Sequence, residues 1–113
     1  MQEHRDLKDR TRQFALAIVK FYQEIPKTSE AQILGRQLLR SGTSVGANTR
    51  SAFRGRSPRE FKAKLGVVIE EADESAFWLD LLSDANIIGK SHTESLKKEA
   101  EELVAIFVTI VKR

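Results

Sequence analysis

The sequence predicts an all-α protein, an antiparallel up-down four-helix bundle with no sheet, built from residues 1–113 as a single domain. Apolar residues recur at three- and four-residue spacing in four separate segments, the mark of amphipathic helices. Start and stop signals bound those segments, and the connections between them are short, as between antiparallel neighbours in a bundle. No stretch alternates apolar with polar residues, and no Asn-Gly hairpin signal occurs.

The first helix carries Leu7, Thr11, Phe14, Ala15, Ile18, Phe21, Tyr22 and Ile25 as one stripe, and Pro26 stops it. Ser29, with Gln32 three residues on, fits a capping box, so the second helix is expected from about Glu30 to Phe53, with Gly55 as its stop. The third start is the clearest: "SPRE" sets Ser57 as N-cap, Pro58 at the first helical position and Glu60 at the third. Its stripe of Phe61, Leu65, Val68, Ala72, Ala76, Leu79 and Leu82 runs on to roughly Ala85. "NIIGK" places Gly89 as the next stop, and Ser91 with Glu94 suggests another capping box. The last helix carries Leu96, Ala100, Leu103, Phe107, Ile110 and Val111.

Within the second segment, "SGTSVGANTR" at residues 41–50 looks like a loop. A phosphate-binding loop would need a preceding strand and GxxxxGK[ST] spacing, and neither is present. A break into two short helices has some support, since glycine in a helix interior costs about 1 kcal/mol against alanine. Yet Gly35, Gly42 and Gly46 fall on one side of a helix, where they would let a neighbouring backbone approach closely. The continuous helix is the reading adopted. It puts Leu34, Leu38, Ser41, Val45, Asn48 and Ala52 on a core stripe, where Ser41 and Asn48 would need buried hydrogen-bond partners.

Composition narrows the function. The chain is 41% hydrophobic and 31% charged, as a soluble helical domain would be, and no apolar run reaches the roughly 18 residues of a membrane span. The polar opening "MQEHRDLKDR" carries no secretory-signal pattern, so a cytoplasmic location is expected. With no cysteine there are no disulfides, thiolate metal sites or thiol nucleophiles. The net charge of +3 conceals a separation: residues 36–64 carry eight Lys or Arg against Glu60 alone, and residues 65–84 carry six acids and no base.

The stretch "LLRSGTSVGANTRSAFRGRSPREFKAKLGVVIEEADESAFWLDLL", about the middle half of the chain, resembles the four-helix-bundle proteins first noted in intervening sequences of bacterial large-subunit ribosomal RNA genes. The specific parts are the Arg-Ser-x-x-Ser-x-x-x-Asn core at Arg40–Asn48 and the "EADES…WL" segment. Many relatives carry a proline and an Asn-x-x-Glu-Gly ending where this chain reads "GANTRSAFRG", so no role is carried over to that acidic position. The resemblance implies a left-handed antiparallel bundle, often a ring-like homopentamer, with no established enzymatic activity. The accessory protein of diversity-generating retroelements is similar, and is associated with nucleic acid and a reverse transcriptase.

Arg36, Arg40, Thr43, Ala47, Arg50 and Arg54 follow helical spacing along one face, and Arg56, Arg59, Lys62 and Lys64 extend the positive region. Guanidinium groups suit phosphate because they offer paired donors and keep their charge. The candidate nucleic-acid-binding residues are therefore Arg36, Arg40, Arg50, Arg54, Arg56, Arg59 and Lys62. The alternative is a solvated face, or one that pairs with acids of the same or a neighbouring subunit. A ring would repeat the stripe and concentrate its field.

"LVAIFVTIV" at 103–111 is apolar almost all round, so Val104, Val108 and Val111, with Trp78, are candidates for an oligomer interface. The acidic cluster does not suggest a metal, because His4 and His92 form no Glu-x-x-His pair. No catalytic residues, metal or cofactor are assigned. The expected function is a non-enzymatic, oligomeric bundle associated with RNA, DNA or a ribonucleoprotein. The rival is a self-assembling scaffold or protein-interaction module without a nucleic-acid role.

Overall fold

The computed structural model describes residues 2–113, with side chains from residue 6 onward. The described chain forms α1 (Gln2–Gln23), α2 (Ser29–Ala52), α3 (Pro58–Asp84) and α4 (Lys90–Val111), with no strand. Short turns fold them into an antiparallel bundle of 44 × 20 × 19 Å. Successive helices pack along their length, whereas α1 and α4 meet only along a thin seam. The predicted stripes form the core: Ile18, Leu38, Val45, Leu65, Val68, Leu79, Leu103 and Phe107 are among its buried side chains.

The stretch at 41–50 is continuous helix, and its glycines face α1. A Cβ built on Gly42 would lie 2.7 Å from Cγ1 and 3.0 Å from Cβ of Ile18. One on Gly46 would lie 3.2 Å from the Thr11 carbonyl oxygen, and one on Gly35 2.9 Å from Ile25 Cδ1. The propensity cost of these glycines is thus offset by burial of Ile18 and Ile25 against bare backbone.

Ser41 is buried on the α3 side and its hydroxyl meets that of Ser75 at 2.8 Å, while Ser75 also reaches the Glu71 carbonyl at 2.9 Å. Asn48 departs from expectation. It is half-buried and satisfied inside α2, donating to the Ser44 carbonyl at 3.0 Å and to Ser44 Oγ at 2.7 Å. The buried position one residue on belongs to Thr49, whose hydroxyl donates to the Val45 carbonyl at 2.7 Å. Among the described residues no buried side-chain nitrogen or oxygen lacks a partner.

Helix ends agree with the sequence signals unevenly. Ser57 caps α3 as expected, accepting from the Glu60 amide at 3.1 Å, with Pro58 opening the helix. The Ser29–Gln32 box does not form: Thr28 is the N-cap without a side-chain bond. Gln32 instead accepts from the Tyr22 hydroxyl at 2.8 Å and donates to the Pro26 carbonyl at 2.9 Å, tying α2 to the end of α1. Gly55 does not stop α2 through a left-handed turn, since no glycine has positive φ; α2 ends at Ala52, and the Gly55 amide closes onto the Ala52 carbonyl at 3.0 Å. Gly89 and Ser91 also exchange roles with their neighbours. Asn86, at φ 61°, terminates α3: its amide bonds Ser83 O at 3.0 Å and that of Ile87 bonds Leu82 O at 3.0 Å, which is a Schellman motif. Gly89 is then the N-cap of α4, and no side chain caps it.

The glycine row yields a paired expectation. Gly66 has nothing within 4 Å of a built Cβ. Gly66→Ala should raise stability in chemical denaturation by about 0.5–1 kcal/mol. Gly42→Ala should lower it by about 1–3 kcal/mol, because Ile18 is branched and buried and cannot swing aside.

Candidate nucleic-acid interface

Antiparallel packing brings the start of α1, the end of α2 and the start of α3 to one end of the bundle. Arg50 at the end of α2 and Arg54 in the turn that follows form a ridge there with Ala47 between two grooves. On the α1 side, a groove of about 450 Å³ is walled by Lys8, Asp9 and Arg12. On the α3 side, one of about 370 Å³ is walled by Arg56, Glu60 and Lys64, with Gly55 and Ser51. Arg12, Arg50, Arg54, Arg56 and Lys64 are exposed, and no ion pair engages any of their side chains among the described residues. Glu60 is partly committed, since its carboxylate accepts from the Arg56 amide at 3.0 Å and thereby holds the loop.

The predicted stripe divides. Arg50, Arg54 and Arg56 line the grooves. Arg59 and Lys62 are exposed at the same end but line neither, and Arg36 is exposed farther along α2. Arg40 serves the fold: it bonds Glu71 at 3.1 Å and makes a short contact with Glu74, which also accepts from Trp78 Nε1 at 3.1 Å. Lys8 and Arg12 enter the site without belonging to the basic block at 36–64; only the docking of α1 on α2 brings them there.

A second ion pair crosses the thin seam. Arg10 forks onto Glu99, with both nitrogen–oxygen distances 2.7 Å, and lies 3.5 Å from Glu102. The Glu99 hydrogen bond is the chief cause holding the Arg10 guanidinium above its ordinary pKa, and Asp80, 2.8 Å from Lys97, does the same for that ammonium.

Trp78, Val104, Val108 and Val111 are half-buried, and Val104 and Val111 pack against the core. The most exposed large apolar side chains are Ile33 and Phe77, and the Phe77 ring stands edge-on to Trp78 at 5.0 Å. Among the described residues no three acidic or histidine side chains gather to hold a metal, and no helix is long and apolar enough to cross a membrane. His92 is exposed, and the His4 side chain lies outside the described residues.

Residues 3–109 match the family model of the 23S rRNA-intervening sequence protein. The chain belongs to that family. A solved structure of a protein of unknown function from the S23 ribosomal protein family of Bacteroides thetaiotaomicron is similar to this intervening-sequence family member. The two share 34% identity over 95% of this chain and 99% of the other, with a TM-score of 0.88. No match is found among curated proteins.

In this member of the family, the division of the arginines has a measurable consequence. The side chain of Arg40 is 50% exposed and that of Glu71 only 15%. Arg40→Ala leaves two neighbouring carboxylates without their cation, at an expected cost near 1 kcal/mol in urea denaturation. The deficit should shrink in 1 M salt, whose screening length is about 3 Å. Arg54→Ala, made on a residue with no ion pair, should leave the midpoint nearly unchanged.

Proposed function

We propose that this protein is a non-enzymatic, oligomeric bundle that associates with nucleic acid or a ribonucleoprotein through its basic end. The observation that carries the reading is the Arg50–Arg54 ridge, flanked by Lys8 and Arg12 on one side and Arg56 and Lys64 on the other. Cations held this close together repel one another, and a polyanion relieves that repulsion while releasing its own counterions. Membership of the family fits a role beside RNA, and the homopentamer that the resemblance implies would repeat the basic end around a ring.

The rival scaffold reading is favoured by one feature, the exposed Phe77 ring, 55% exposed and set edge-on to Trp78. Such a surface suits a contact between copies or with a protein partner. Light scattering separates the cases: a monomer would remove both oligomeric readings, and an oligomer that ignores nucleic acid would support the scaffold.

Fluorescence anisotropy with labelled RNA and DNA tests the leading reading. With about four phosphate contacts, affinity should fall roughly 50- to 150-fold between 50 and 200 mM salt. Arg54→Ala should reduce the logarithmic salt slope by about 0.7–0.9, whereas Arg40→Ala should leave it unchanged. Binding that ignores salt, or that survives Arg50→Ala with Arg54→Ala, would refute it.

A further inference from the structure

The groove on the α3 side has an apolar neighbour. Beyond Gly55 and Arg56, a depression of about 390 Å³ is walled by Phe53, Phe61 and Pro58. The two rings are tilted by 39° with centroids 5.4 Å apart, and both residues are only half-buried. Gly55 and Arg56 line both depressions, so the cationic groove runs into the aromatic one. Gly55 places no side chain between them, and a Cβ there would lie 3.0 Å from the Ala52 carbonyl oxygen. The loop is held in place by the Glu60 carboxylate on the Arg56 amide and by the Ser57 cap.

We propose that this pair of depressions is a site for an unpaired nucleotide, so that the basic end prefers single-stranded RNA or DNA to duplex. The inference rests on the nucleic-acid reading above and deepens it. Phosphates of the strand lie along Arg50, Arg54 and Lys64, and one base turns past Gly55 onto Phe61. Arg56 stands between them, able to bond a phosphate or to lie against the base. A duplex satisfies the cations equally well, but its bases are stacked on one another and cannot reach the rings. The same logic governs single-strand binders, where a cationic groove supplies affinity and aromatic faces reward exposed bases of any sequence.

Duplex recognition by shape would need cations spread to match two strands. Here the aromatic depression opens on one side only of the Arg50–Arg54 ridge, since among the described residues no aromatic side chain lines the groove toward α1. The two grooves therefore differ in kind, one lined by charged and small side chains and one continuing into rings. A strand with a free base has a reason to choose the second.

The test uses the full chain, a labelled 12-nucleotide single strand carrying 2-aminopurine, and the blunt duplex of the same sequence, in RNA and in DNA. The single strand should bind about tenfold more tightly than the duplex, with its 2-aminopurine fluorescence quenched on binding. Phe61→Leu keeps an apolar side chain in the wall but removes the stacking face. It should weaken single-strand binding about tenfold, abolish the quench and leave duplex affinity unchanged, while the lost ring contact with Phe53 lowers thermal stability only slightly. Equal affinity for both forms, or a quench that persists in Phe61→Leu, overturns the inference while the nucleic-acid reading stands. If neither form binds, both readings are overturned. If only RNA strands show the preference, the 2′-hydroxyl contributes as well, and the unpaired-base site is retained.

Discussion

The close approach of α1 to α2 is the constraint on which the rest of the bundle depends. Gly35, Gly42 and Gly46 give α2 a face without side chains, and Tyr22, Ile18 and the Thr11 backbone lie directly on it. Three independent contacts along one line fix distance and register together, because a shift of one residue would set Ile18 against Thr43 or Ser41 instead of Gly42. That register decides which parts of α1 lie beside the end of α2. Lys8 and Arg12 come to face Arg50 and Arg54 across a groove for this reason alone. A like-charge cluster opposes folding, and packing along the glycine row is what holds it together.

Polar contacts then mark two of the other three interfaces. Ser41 and Ser75 meet inside the α2–α3 interface, where each hydroxyl reaches a carbonyl of its own helix and the two bond each other only in this register. Just outside it, Arg40 spans Glu71 and Glu74, and the indole of Trp78 binds Glu74. The order from core to surface is hydroxyl, carboxylate, guanidinium, so each polar group sits no deeper than its partners can satisfy. The backbones of α1 and α4 approach each other only along a thin seam, which the forked bond of Arg10 to Glu99 crosses.

Much of this was legible in the residues, and the failures share a cause. Ser57, Pro58 and Glu60 announce the start of α3 because their interactions are all local. The glycine row was legible because a helix maps its spacing onto one face. The expected caps at Ser29 and Ser91 failed where another residue took the local position: Thr28 and Gly89 are the N-caps, and Gln32 is spent on Tyr22 and Pro26. Asn86 rather than Gly89 ends α3, since a short polar side chain also tolerates the left-handed conformation. Asn48 was assigned to the core because its spacing allowed it, but Thr49 one position on can return its hydroxyl to the helix and be buried alone. Lys8, Arg12 and the pairing of Phe53 with Phe61 depend on contacts between helices, which periodicity within one helix does not contain.

The charge blocks themselves explain which arginines are left to act. Antiparallel packing sets Ser41 level with Ser75 and Phe53 level with Phe61, so residues farther along α2 meet residues earlier in α3. Acids on α3 begin at Glu70 once Glu60 is passed. Arg40 is level with them and is captured by Glu71 and Glu74. Arg50 and Arg54 are level with the stretch before Glu70, where the charged side chains sharing their groove are Arg56, Lys64 and one acid, Glu60, which also accepts from the Arg56 amide. The sequence places its basic block before its acidic block, and the hairpin folds the two together from the far end of α2. The inner arginine is neutralised and the outer ones keep their charge. The start of α3 sets Lys62 and Lys64 beside its one acid, Glu60, and next to a pair of half-buried rings, so few carboxylates are at hand to pair with the outer arginines.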